Sequence, residues 1–234
     1  MDPIKKTAHT AGLLYFTAAL IGVFGLVYAP GKLVVAGDAT ATASNLRAAG
    51  WLLRLGVGSE LLAHVLFLFM VLVLYRLFEP VNKRQAQLVV ILGALVSVPI
   101  AFLNVVNEIA ALLLVSGADF LKVFEPRQLD AMAFFFLKLH GQGLTVAEIF
   151  WGLWLFPFGM LVIRSGFIPR VLGVLLMIAG TAYTVDAFTE IIVPQYADAV
   201  GAVAAVFRRC EAPIIFWLLI WGAKTKPAGA RPRG

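Results

Sequence analysis

Charge is scarce in this chain. Only 14% of its 234 residues are Asp, Glu, Lys or Arg, while 61% are hydrophobic. Soluble domains carry about 25% charged residues, so there is too little polar surface here to keep the chain in water. Cysteine is scarcer still: Cys210 is alone, which excludes an intrachain disulfide and a cysteine-based zinc site. The period-2 alternation of a membrane barrel is absent. So is a basic face interleaved with aromatics, and nucleic-acid binding is not expected despite a net charge of +6.

What is present is a series of apolar runs long enough to cross a bilayer as helices, since about 20 residues suffice. The expected fold class is all-α: a polytopic membrane helix bundle of about six transmembrane helices. The spans read as 12–29, ended by Pro30-Gly31; 46–78, capped by Ser44 or Asn45 and stopped by Glu79-Pro80; and 88–115, bent at Pro99. They continue with 127–163, whose first part carries Asp130, Lys138 and His140 and should lie outside or at the interface; 169–193; and, after a short polar stretch at 194–198, a sixth span whose core is 211–221. Residues 1–223 read as one transmembrane domain with no internal repeat, and 224–234 as a basic disordered tail. No small-x-small cleavage site follows Lys5-Lys6 and the apolar run to Ala29, so an uncleaved first span is expected. With both termini cytoplasmic, eleven of the nineteen Lys and Arg fall on the inner side, in keeping with the positive-inside rule. The expected location is the cytoplasmic (inner) membrane.

The ionisable residues are not scattered. Asn104, Asn107 and Glu108 stand at i, i+3 and i+4, on one helical face of an otherwise apolar run. Other spans bring Arg54, Glu60 and His64; His140, Gln142, Thr145 and Glu148; Tyr183, Asp186 and Glu190; and Arg208 with Glu211 to the expected outer half. The inner stretches 65–74, 89–95, 153–163, 171–179 and 214–221 hold no charge. A charge at the bilayer centre costs about 2.5–3.5 kcal/mol on insertion scales, so this load calls for a shared polar interior. The expectation is one extracytoplasmic-facing pocket over an apolar floor. Within it, Glu60 faces His64, Arg208 faces Glu211, and Arg54 reaches Glu108 or Asp186. Acids outnumber the nearby fixed cations, so some carboxyls should carry a proton at neutral pH and be able to donate it.

The pieces Gly37-Asp38 with Ala-Thr-Ala-Ser-Asn45, Arg54-Leu-Gly56, Tyr75-Arg-Leu-Phe-Glu-Pro-Val-Asn-Lys83, Ser165-Gly-Phe-Ile-Pro-Arg-Val-Leu-Gly173 and Glu211 before Trp217-Leu-Leu219 occur in that order. With them the chain resembles a bacterial domain-of-unknown-function family of small multi-pass membrane proteins, the group numbered four-three-eight-six. The resemblance implies a helical fold in the cytoplasmic membrane and supplies no catalytic residues.

The residues themselves nominate Asp186 or Glu211 as an acid, with Glu60, Glu108 or His64 as the complementary base. Arg54, Asn104, Asn107, His140, Glu148 and Tyr183 would bind a small amphipathic or lipid-like molecule. Isomerisation, cyclisation and hydrolysis all fit such a pair. A proton-coupled carrier and a purely structural polar core are the alternatives, and for Asn104, Asn107, Gln142 and Thr145 helix-to-helix bonding is the favoured role. Of the aromatics Trp51, Phe134, Trp151, Trp154, Tyr183, Phe188 and Trp217, most should face lipid. Gly22 with Gly25, Gly152 with Gly159, and Gly173 with Gly180 suit close helix packing. No cofactor is expected. No metal is expected either, because His64 and His140 lie on different spans without the tight spacing of a metal motif. Membrane lipid and the amphipathic ligand are the expected partners.

Overall fold

The first four long helices begin where a side chain takes free backbone N–H groups of the first turn. The computed structural model describes residues 2–224, so the tail beyond Lys224 lies outside the described residues. Helix α1 (Pro3–Leu33) is capped by Asp2, and α2 (Ala39–Phe78) by Asp38, whose carboxylate accepts from the Ala41 N–H at 2.8 Å. Asn82 caps α3 (Lys83–Leu114), accepting from the Gln85 N–H. Glu125 and Gln128 form a capping box for α4 (Pro126–Ser165). Gly166, at φ 69°, ends α4 in the left-handed region, and Pro169 opens α5 (Arg170–Ile192). The Ser-x-x-x-Pro-Arg piece is therefore a stop–start device between two crossings. The chain then runs through α6 (Ala197–Arg208) and a 3-10 turn, Arg209–Glu211, into α7 (Ala212–Ile220).

Several starts and stops differ from the sequence reading. The N-cap of α2 is Asp38, not Ser44 or Asn45, because Asn45 instead donates its amide to the Leu33 carbonyl and ties α2 to the end of α1. Pro30 does not end α1. A π-helical stretch, Phe24–Tyr28, widens the helix just ahead of it, which makes room for the ring and the missing N–H. The same device, Val90–Val96, precedes Pro99 in α3, where the bend was expected. Helix α4 breaks at Trp154, three residues before Pro157. The last crossing starts at Ala197, ahead of the 211–221 core expected from the sequence.

Five helices (α1 to α5) are long and apolar enough to span a membrane, and α6 with α7 makes a sixth crossing interrupted by its 3-10 turn. The protein is a multi-pass membrane protein. Its helices close a ring in which α1 packs on α2, α2 on α3, α3 on α4, α4 on α5, α5 on α6, and α7 returns to α1. The His9 imidazole bonds the Leu219 carbonyl at 2.9 Å, so the two described ends of the chain lie at the same end of the bundle.

That end is filled by the main apolar core. Trp154 stacks on Phe158 at 5.3 Å, Phe67 meets Trp154 edge-on at 5.2 Å, and Met70, Leu74, Leu161, Leu176 and Leu218 pack around them. These residues come from the charge-free stretches, which therefore meet in one apolar layer. At 1.5 Å per residue, the 40 residues of α2 and of α4 run about 60 Å, twice a hydrocarbon core of about 30 Å. Their first turns project together at the other end. There the Arg47 guanidinium meets the buried Asp130 carboxylate at 2.8 Å, over a small cluster of Leu33, Leu46, Leu53, Ala111, Leu112 and Ala133.

Candidate functional site

Apart from the Arg47–Asp130 pair, the buried ionisable residues fall into two clusters rather than one pocket. The first lies between α2, α3 and α4. Glu60 and Glu108 are only 2% and 1% exposed, and His140 is 8% exposed. His140 Nε2 stands 3.6 Å from Glu60 Oε1 and 4.0 Å from Glu108 Oε1. On the far side of the ring, Nδ1 lies 3.3 Å from the Asn104 carbonyl oxygen, while the Asn104 amide donates to the His140 carbonyl at 2.9 Å. Asn107 in turn donates to Asn104 Oδ1 at 3.0 Å. Two glycines permit these approaches. A Cβ on Gly143 would occupy the space of the Asn104 amide, and one on Gly25 would sit 2.7 Å from Glu60 Cγ.

The second cluster lies about 12 Å further along α4, eight residues on at 1.5 Å each. Arg208 places Nη1 3.0 Å from Glu148 Oε2 and 2.9 Å from Asp186 Oδ2, with its guanidinium over the Tyr183 ring at 5.5 Å. Beside it, the Tyr15 hydroxyl donates to Glu211 Oε1, and the Tyr183 phenol also faces that carboxyl. Glu211, Tyr15 and Tyr183 line a pocket of about 230 Å³ between α1, α2, α4, α5 and the 3-10 turn before α7, with His64 also in its wall. The rest of the lining is apolar: Ala18, Ala19, Leu26, Phe67, Trp151 and Trp154 among others.

Several expected pairings are replaced. Arg54 is exposed on α2 and forms no ion pair among the described residues. It stands about a third of a turn off the Glu60 face, and neither Glu108 nor Asp186 receives it. Glu60 and His64 do not meet through their side chains, because His64 Nδ1 bonds the Glu60 backbone carbonyl at 2.8 Å. Arg208 does not pair with Glu211, because the 3-10 turn between them changes the helical register. His140 is buried in the first cluster, not at the interface. Gln142 bridges α4 to Glu190 on α5 at 3.1 Å, and Asn104 bridges α3 to α4, as helix-bonding residues should. Asn107 and Thr145 bond within their own helices. Trp51 faces outward, whereas Trp151, Trp154 and Tyr183 line the pocket.

Sequence reading missed Tyr15, since the first span was thought to bring nothing polar inward. It also missed Gly143, whose role depends on a neighbour 39 residues earlier.

The comparisons with known proteins name no activity. A stretch of 89 residues is 36% identical to an uncharacterized protein of Archaeoglobus fulgidus, covering 38% of this chain and 52% of that protein. The alignment thus spans about half the length of that curated relative. No solved structure matches the chain. The model of a family described as a domain of unknown function, DUF4386, matches residues 10–222, nearly the whole length of the chain, which therefore belongs to that family.

Proposed function

We propose that this protein holds one small amphipathic molecule in the pocket at Glu211, with the apolar body of the ligand along Trp151, Trp154 and Leu26 and its polar group at the Glu211–Tyr15–Tyr183 end. The observation that carries this reading is the pocket itself: an apolar wall converging on one carboxyl and two phenols, with a histidine across from them. Binding sites have this composition, mostly apolar with a few placed polar groups. A volume of about 230 Å³ falls below the roughly 300–1,000 Å³ of drug-sized sites, so the occupant is small or enters by one chain segment.

Glu211 and His64 are the pair placed for acid–base work on such a ligand, of isomerase, cyclase or hydrolase type. His64 spends Nδ1 on the Glu60 carbonyl, which leaves Nε2 for the pocket. Asp186 is tied to Arg208 and does not line the pocket, so it serves the wall instead of the reaction. The stacked Trp154–Phe158 layer beneath favours a closed binding site over a carrier with a through-path. The end of the bundle with Lys5, Lys6, Arg76, Lys83, Arg84, Arg164 and Arg170 faces the cytoplasm by its positive charge, which turns the other end outward from the inner membrane.

Ala19→Phe tests the reading, because Ala19 lines the pocket from α1 without being part of the packed core. Mass spectrometry of the purified protein is expected to find a bound lipid-like compound in the wild type. Ala19→Phe should lose it with little change in thermal midpoint. Equal occupancy in both proteins, or none in the wild type, counts against the pocket as a ligand site.

A further inference from the structure

We propose that Glu60, Glu108 and His140 bind one divalent first-row transition-metal ion between α2, α3 and α4. One ligand atom from each residue lies within 4.8 Å of the others. The His140 Nε2 contacts of 3.6 and 4.0 Å are too long for direct hydrogen bonds, which run at about 2.7–3.2 Å. The 3.6 Å contact suits a bridging ion, and the 4.0 Å contact is a few tenths of an ångström too wide: nitrogen and oxygen ligands at roughly 2.0–2.2 Å from a metal sit about 3–3.6 Å from each other. A small closure completes the shell.

Charge argues the same way. Among the described residues, Glu60 and Glu108 share the site with no fixed cation, since Arg47 is on Asp130, Arg208 is on Glu148 and Asp186, and Arg54 is exposed. Two carboxylates and one dication are neutral together, which an apolar bundle interior favours. Glu60 Oε1 and Glu108 Oε2 are buried without a hydrogen-bond partner, the condition of acceptors that await a ligand. The outer contacts are those of a metal-binding histidine. The Asn104 carbonyl takes the Nδ1 proton and turns the Nε2 lone pair toward the two acids, and Asn104 is itself fixed by Asn107.

Imidazole with carboxylates suits zinc, manganese or iron; the absence of a thiolate disfavours copper(I), and the ring nitrogen disfavours magnesium and calcium. Three protein ligands leave a coordination position open. This inference does not depend on the Glu211 pocket.

The test uses the full chain in detergent, without a histidine tag, stripped with chelator and titrated with zinc or manganese by calorimetry and metal analysis. One equivalent per chain is expected. Asn104→Ala should weaken binding by roughly 10–100-fold; Glu60→Gln and Glu108→Gln should each weaken it more, and the surface control Glu79→Gln should not. Cobalt(II) bound to the wild type should show visible ligand-field bands that saturate at one equivalent and vanish when zinc displaces it, a readout that needs no variant to fold. Substoichiometric binding, or full binding by the Glu60→Gln, Glu108→Gln double variant, overturns the proposal.

Discussion

Arg208→Met is expected to destabilise the protein by roughly 3 kcal/mol, because it strands two carboxylates that share one guanidinium. Removing one partner of a buried ion pair costs about 3–5 kcal/mol. The lower end applies here, since the Arg208 side chain keeps 25% of its exposure and Glu148 22%. The cost resides in the acids left behind, not in the bond removed. Adding Glu148→Gln and Asp186→Asn to Arg208→Met should therefore recover most of the loss. Denaturation of the purified proteins measures all three steps. A single-variant loss under about 1 kcal/mol would make the group a wet rim pair of ordinary surface strength. A triple variant no better than the single one would show that Arg208 acts through packing on Tyr183.

Gly159→Val should be comparably damaging, and for a steric reason. Helices α4 and α5 touch backbone to backbone at two levels one heptad apart. A Cβ on Gly159 would lie 2.6 Å from the Gly173 carbonyl oxygen, and one on Gly152 would lie 2.6 Å from that of Gly180. No rotamer change relieves a clash with backbone, so the helices must separate. Overpacking costs about 1–3 kcal/mol, and here the upper end is expected, with loss of the α4–α5 contact that also positions Glu148 and Asp186. Gly141→Ala, on the same helix with nothing within 4 Å of its Cβ, should be neutral or stabilising by up to about 1 kcal/mol, since alanine restricts the unfolded chain more than glycine does. Equal thermal midpoints for the two variants would refute the close approach.

These residues also show what was legible before the fold was known. Gly152, Gly159, Gly173 and Gly180 could be read as packing positions, because seven-residue spacing puts each pair on one helical face. The spans were legible from hydropathy, and the apolar layer from its missing charges. What sequence periodicity does not carry is which face meets which across the bundle. Glu60, Glu108 and His140 come from three helices, two of them broken or widened ahead of a proline. A helical wheel drawn through a π-stretch loses its register, so the acids were pooled into one pocket when they form two clusters. Arg208 and Glu211 failed for a smaller version of the same reason, a single 3-10 turn. Helix α6 was overlooked because its Ala- and Val-rich turns lie beside Pro194 and Asp198, which read as loop. Tyr15 was not legible because residues 12–29 hold no charged or amide side chain to mark an inward face.

The buried acids turn toward one another and away from lipid, and a lipid-soluble carboxyl reagent tests that directly. Chelator-treated protein in lipid vesicles is exposed to dicyclohexylcarbodiimide and the modified carboxyls are mapped by mass spectrometry. A Leu103→Glu chain serves as reference, because Leu103 is 72% exposed on the outer face of α3. Glu60 and Glu108 are expected to stay unmodified while the introduced acid at position 103 reacts. Modification of Glu60 or Glu108 at the rate of that reference would place them against lipid and contradict the account.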